Sequence, residues 1–537
     1  MGNYLQVNSD YNNIYVTEIM NDNTIISKTI KNYQPELFTN THNETGWHTL
    51  IGNDPVRKIK FESMKRYHEY KKEMKGVNGV SIYNNIDPAY QYIRETFSYD
   101  LPIMFPNIWY FDIETDLYED KFSDPRKALA PITLLQVYDK HNDDFLILSH
   151  NREYETKSDN VKYFNCGSEI EMLSKWVELM YERNVTLVTA WFGDNFDFPY
   201  VINRMEVLGM DPKILSRFEK LENHTTVIYG QKESIKKPMG VYWIDAVEAY
   251  RKVAFGGRES WSLDFIAKYE GIEGKLSYTS EGFKSMSDFI RGKYDPEYDK
   301  VKGKLYQLYQ EGKQDTPQFR RIVSDMFVDY GIEDVRILKE LDEELNMSGV
   351  LFALQWKMRV NLYDVFGTVK PWATLIYNKL YDRKQVLPDD SKKKESRSYG
   401  GGYVFAKPGK YEWVISEDAT SLYPSIMRIF NTSPETYIPK EKLPPELKQF
   451  YDKLCANPKA EEVIMGFNDK QKEMLSNKLK EYNVCMSVNG TFYTKEKQGI
   501  IPELVTGFFN QRKAHKKKMI EADQMISKIK DELARRK

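Results

Sequence analysis

Three short stretches put carboxylates where they could share a cation. In "WYFDIETDL", Asp112 and Glu114 are two residues apart in an apolar run, so a strand there presents both on one face. Two acids side by side repel unless something cationic lies between them, and hard carboxylate oxygens suit a divalent ion such as Mg²⁺ or Mn²⁺. The same pair also fits one buried and one exposed acid at a strand end. In "NFDFPYVINR", Asp197 stands where a helix begins, a place that equally suits a cap or a partner of the helix dipole. In "DYGIEDVRIL", Tyr330 and Asp334 are four apart in a helical pattern and share a face.

A different chemistry is suggested near the C-terminal end. Asp418 opens "DATSLYPSIM" after the apolar run "YEWVIS", which reads as a core strand delivering Asp418 to a sheet end. In "FFNQRKAHKKKM", Arg512 and Lys516 are four apart on one helical face, and a planar guanidinium beside an ammonium suits phosphate oxygens. The stretch from 510 to 537 is strongly basic, although the whole chain carries a formal net charge of only −2.

The elements that must hold these residues can be read more coarsely. A chain of 537 residues exceeds one core and implies about three or four domains. With 41% hydrophobic and 14% aromatic residues it can bury them, and no run approaches the roughly 18 apolar residues of a membrane span. The N-terminus lacks a signal-peptide layout, so a cytoplasmic protein is expected. Cys166, Cys455 and Cys485 are far apart with no partner spacing, which argues against a disulfide framework or a zinc site. Residues 1 to 106 read as a small α+β domain with a helix near 61–74. Strands such as "NIWYFDIE", "ITLLQVYD" and "DDFLILS" then alternate with helical patterns, implying a sheet flanked by helices. Residues 226–246 read as a hairpin turning near Gly230, residues 318–380 as helices, and 388–398 as a domain boundary. A charged helical insertion over 440–482 and a last basic helix complete the chain.

Taken together, the strand acid pair, the helix-start Asp197 and the Tyr-x-x-x-Asp helix resemble the proofreading 3′→5′ exonuclease of the DnaQ-like, RNase H-like fold. The resemblance implies that Asp112, Glu114, Asp197 and Asp334 hold two metal ions and that Tyr330 orients the attacking water. Lys275, in "GKLSY", matches a lysine that such exonucleases place near the scissile phosphate; alone it also fits a surface lysine. "DATSLYPS" matches the D-x-x-S-L-Y-P-S motif that begins the palm of family B DNA polymerases. There the Asp at the position of Asp418 binds both catalytic ions, the backbone at Ser421 and Leu422 meets the triphosphate, and the Tyr at Tyr423 packs under the deoxyribose. "SYGGGYVF" is similar to the family's Y-x-G-G element, which implies that Tyr399, Gly401 and Gly402 approach the template strand. The helix with Arg512 and Lys516 is similar to the first fingers helix of the tailed-phage branch, where the matching residues grip dNTP.

The resemblance implies a layout of N-terminal domain (1–106, with 346–385 packing back on it), exonuclease (107–345), partial palm (386–498) and first fingers helix (499–537). The family's K-x-x-x-N-S-x-Y-G and D-T-D-S motifs do not occur here. The expectation is therefore the N-terminal subunit of a split polymerase, with DNA, dNTP and a second polypeptide as partners and a sliding clamp reached through that partner. The same residues fit an N-terminal piece of a single-chain enzyme. A stand-alone single-strand exonuclease and a non-catalytic nucleic-acid-binding regulator are the other readings, and the intact Asp418, Tyr423, Arg512 and carboxylate set argue against both.

Overall fold

The computed structural model describes residues 2–83, 86–98, 104–150, 152–228, 231–254, 256–387, 405–419, 421–454 and 460–536. The chain forms two compact units. One takes Met1–Leu37, Ile59–Val80 and Asn85–Leu375; the other takes Phe38–Lys58, Ser81–Asn84 and Ile376–Lys537.

The first unit is built on a six-stranded sheet. Its strands are β1 (Asn107–Thr115), β2 (Ile132–Asp139), β3 (Asp144–His150), β4 (Val161–Cys166), β5 (Val185–Ala190), and a short edge strand at Tyr242–Asp245. The order is β4-β3-β2-β1-β5 and then the edge strand. β1 runs antiparallel to β2 and parallel to β5. Central strands covered on both faces must be apolar nearly throughout, and β2 and β3 are buried along their whole length. Helix α1 (Glu169–Glu182) closes one face. Ser168 caps it by accepting from the Glu171 N–H, and Trp176 meets Trp109 and Phe111 in the core. Helix α2 (Asp197–Val207) follows β5, and its Phe198 packs 5.0 Å from Trp243.

The hairpin appears as β6 (Leu221–Ile228) paired with β7 (Gln231–Pro238); its expected turn at Gly230 lies outside the described residues. Helix α3 (Pro317–Leu345) has Pro317 in its first turn and Thr316 as its cap. It lies against β1 and β2. Residues of the 347–365 helices fasten onto the first strand of the chain: the Tyr4 hydroxyl donates to the Gln355 carbonyl at 3.1 Å, and Asn361 brackets Val7.

In the second unit the helical insertion is present at Pro445–Leu454, Ala460–Met465 and Asp469–Glu481. A short helix, α4 (Leu422–Ile429), contacts the long α5 (Ile500–Arg536), which is exposed over 510–536. One expectation fails here. "YEWVIS" is not a strand: Trp413 is 96% exposed, Val414 76% and Ile415 84%. A strand exists only where a neighbour takes its N–H and C=O groups, and no described strand lies beside this run. Cys455, and the 388–398 boundary, lie outside the described residues. No helix of the described residues is long and apolar enough to cross a membrane.

Candidate active site

The site sits at the end of β1. Asp112 and Glu114 leave the same face of the strand, and the helix α3 brings Asp334 to them, so that ligand atoms of all three lie within 4.8 Å of one another. Antiparallel register sets Gln136 of β2 opposite Asp112, and its amide donates to Asp112 Oδ2 at 2.9 Å. The approach of α3 depends on Gly331, where an added Cβ would stand 2.6 Å from Gln136 Nε2. A mid-helix glycine costs roughly 1 kcal/mol against alanine, and here it lets a helix carry an acid onto a sheet.

Asp197 is the first residue of α2, as its position in the sequence implied. It is not in the 4.8 Å group. The backbone N–H groups of Asp197 itself and of Ile113, the residue between Asp112 and Glu114, oppose the rise of its carboxyl pKa. Tyr330 sits one turn before Asp334 on α3, nearly buried against Tyr278 and Phe289. Lys275 Nζ donates to Asp334 Oδ2 at 2.6 Å and lies 5.5 Å from the centre of the Tyr330 ring. Six residues scattered over more than two hundred positions thus share one place.

Charge crowding dominates this place. Burial and then the neighbouring Asp197 and Asp334 push the Asp112 carboxyl well above its ordinary range. Burial and Asp334 raise Glu114 to about 8, and burial raises Asp197 to about 8. Asp334 is raised by burial, with Lys275 opposing. Burial with Asp334 nearby raises the Tyr330 hydroxyl, so it stays a donor at neutral pH. A divalent cation among Asp112, Glu114 and Asp334 would relieve those three acids at once. The fit is supported by Asp334 Oδ1, which is buried and takes no hydrogen bond among the described residues. An all-oxygen donor set suits a hard cation.

A second buried charge group includes Asp245, whose charge raises the Asp197 carboxyl further. Lys237 of β7 pairs with Asp194 at 2.6 Å and donates to the Trp243 carbonyl at 2.8 Å; the Asp194 N–H reaches Asp245, whose carboxyl is raised to about 7 by burial and Asp194. This ties the hairpin to the segment that leads into Asp197.

In the second unit, Asp418 and Tyr423 are exposed, and Leu422 is half exposed. Arg512 Nη1 donates to the Ser421 hydroxyl at 3.2 Å, with Ser421 itself in the left-handed region at φ 52°. Lys516 is exposed one turn further along α5. Among the described residues one group of three or more potential metal ligands occurs, and Asp418 is outside it. Tyr399, Gly401 and Gly402 lie outside the described residues. Sequence reasoning missed Gln136 and Gly331. A lone amide inside the otherwise apolar "ITLLQVYD" was the signal for the first.

Two family models match the chain: DNA polymerase family B, exonuclease domain, over residues 65–266, and DNA polymerase family B over residues 369–532. A DNA-directed DNA polymerase of Escherichia phage RB69 is 26% identical, with 93% of this chain aligned to 52% of that protein. The DNA-directed DNA polymerase of Enterobacteria phage T4 is likewise 26% identical over 93% of this chain and 52% of its own length. DNA polymerase 1 of Pyrococcus abyssi is 25% identical over 67% of this chain and 38% of its length. The chain thus spans about half the length of the phage relatives. The exonuclease-domain match thus covers the carboxylate-bearing sheet, and the family B polymerase match covers the Asp418 and Arg512 region.

Proposed function

We propose that the first unit is a metal-dependent 3′→5′ exonuclease acting on single-stranded DNA ends. The observation that carries this reading is the convergence of Asp112, Glu114 and Asp334 within 4.8 Å, with Lys275 on Asp334 and Tyr330 one turn away. Asp112, Glu114, Asp197 and Asp334 would hold two Mg²⁺ or Mn²⁺ ions, which supply charge to the attacking and leaving oxygens of a phosphodiester. Tyr330 keeps its proton and orients the attacking water by accepting or donating at its hydroxyl. Lys275 holds Asp334 in place and adds a positive charge beside the phosphate. The strand end approaches beside a cavity of about 540 Å³ between α2 and β7, where Phe192, Phe196, Asn195 and Asn203 offer stacking faces and amides.

The second unit supplies part of a polymerase site: Asp418 as a metal ligand, Tyr423 under the sugar, the Ser421 and Leu422 backbone, Arg512 and Lys516 on the triphosphate of dNTP, and Tyr399, Gly401 and Gly402 along the template. It is completed by a second polypeptide bearing the remaining palm carboxylate, fingers and thumb, through which a sliding clamp is reached. The exposed Trp413–Ile415 run, a strand sequence without a neighbour among the described residues, supports a further palm strand supplied by that polypeptide.

The test is a gel with a 5′-labelled primer on a template, Mg²⁺ and all four dNTPs. The expected result is shortening that vanishes in Asp112→Ala, with lengthening only after the second polypeptide is added. No shortening in Mg²⁺ or Mn²⁺ refutes the exonuclease; lengthening by this chain alone refutes the need for a partner.

A further inference from the structure

The segment after β3 is fastened to α3 at several points. Ser324 Oγ donates to the Glu153 carbonyl at 2.8 Å, the Tyr154 hydroxyl donates to Asp329 at 2.9 Å, and Lys157 pairs with Asp329. From β4 the Tyr163 hydroxyl holds the Arg152 carbonyl at 2.5 Å. With its backbone fixed in this way, Arg152 lays its guanidinium against the ring of Phe327, 3.8 Å from the ring centre. Phe327, Tyr330 and Asp334 are spaced three and four apart, so Arg152 rests on the same face of α3 that carries the site, one turn from Tyr330.

The surroundings of this guanidinium are unusual. Glu114 and Asp116 feel its charge, yet neither forms an ion pair with it, and its N–H groups meet no hydrogen-bond acceptor among the described residues. Arg204 shows what a structural arginine does in the same unit: it grips Glu169 through two nitrogens at 2.9 and 2.7 Å and donates to two carbonyls. Arg152 is partly buried, burial disfavours its charge, and it receives no such partners, so an arriving anion would be favoured there.

We infer that Arg152 is a phosphate-binding residue of the hydrolytic site, presenting its planar fork to the non-bridging oxygens of the terminal nucleotide as it lies beside the carboxylates. This rests on the exonuclease reading above. The aromatic shelf and the pinned loop pre-orient the fork, so little freedom is lost on binding. The phosphate of the released nucleoside monophosphate, with its larger charge, is held by the same fork.

The test compares the full chain with Arg152→Met and Arg152→Lys on a single-stranded oligonucleotide in Mg²⁺, measuring KM, kcat and inhibition by dTMP and by thymidine. Arg152→Met is expected to raise KM and the dTMP inhibition constant by roughly tenfold to a hundredfold, the range for a lost hydrogen bond to a charged group, while thymidine inhibition is unchanged. Arg152→Lys recovers only part, because an ammonium has no fork. Equal changes for dTMP and thymidine, or no change in either, overturn the inference while leaving hydrolysis by the parent chain intact. A parent chain that hydrolyses nothing removes the exonuclease reading and this inference with it. Should Arg152→Met fail to fold, Arg152→Lys decides: a weakened dTMP constant supports the fork, and an unchanged one refutes it.

Discussion

Glu114→Gln separates what the carboxylate costs the fold from what it does. Burial and Asp334 move this group from 4.5 up to about 8. The folded state therefore prefers the protonated form, so the stability linked to Glu114 is fully present below about pH 4.5 and is lost as pH rises toward 8. At about 1.4 kcal/mol per pH unit the cost at pH 8 is bounded near 5 kcal/mol. Because the neighbouring acids titrate together, that cost is spread over the cluster, leaving about 2 kcal/mol for this one group. An amide of the same shape carries no charge, so without metal the variant is expected to melt about 4–8 °C higher than the parent near pH 8 and equally near pH 4. The assay is calorimetric melting in a chelator at both pH values, repeated in millimolar Mg²⁺. With the cation present the order reverses, because binding to the native state at a hundredfold excess over Kd adds about 2.7 kcal/mol that the variant forfeits. A variant that is less stable in chelator near pH 8, or an order unchanged by Mg²⁺, would refute the account of crowded acids awaiting a cation.

Gly331→Ala drives a methyl group to 2.6 Å from Gln136 Nε2 and should cost about 1–3 kcal/mol, seen as a lower Tm together with slower hydrolysis as Asp334 is moved off Asp112. A gain in Tm from better helix propensity alone would show that α3 need not approach so closely. Lys237→Met leaves Asp194 buried without its 2.6 Å partner and is expected to cost about 3–5 kcal/mol in chemical unfolding, part of which Asp194→Asn restores; additive effects of the two changes would deny the pairing. Asp418→Ala should leave primer shortening untouched and abolish dNTP incorporation in the reconstituted complex, and an unchanged incorporation rate would remove Asp418 from the polymerase site.

Much of the first unit was legible because its signals are local. Strand alternation put Asp112 and Glu114 on one face, helical spacing put Tyr330 with Asp334, and Asp197 fell at a helix start, each a consequence of backbone geometry within a few residues. What brings them together was not legible. The register that sets Gln136 against Asp112, and the close approach that Gly331 permits, depend on pairings between distant segments. Lys275 taken alone read rather as a surface lysine, and the fold set it on Asp334. The failure at "YEWVIS" has the same origin: apolar composition states that a segment would be buried, whereas a neighbour decides whether it is.

That bare run also governs how the chain behaves in a tube. Residues 411–416 combine β-branched and aromatic side chains with a single charge, the composition of segments that stack with copies of themselves. Exposed over 413–415, the run of one molecule can become extended and pair with its copy in another, at no expense to the fold of either unit. Aggregation should therefore rise steeply with concentration and be insensitive to changes that stiffen the catalytic core, so yield and melting temperature will vary independently across variants.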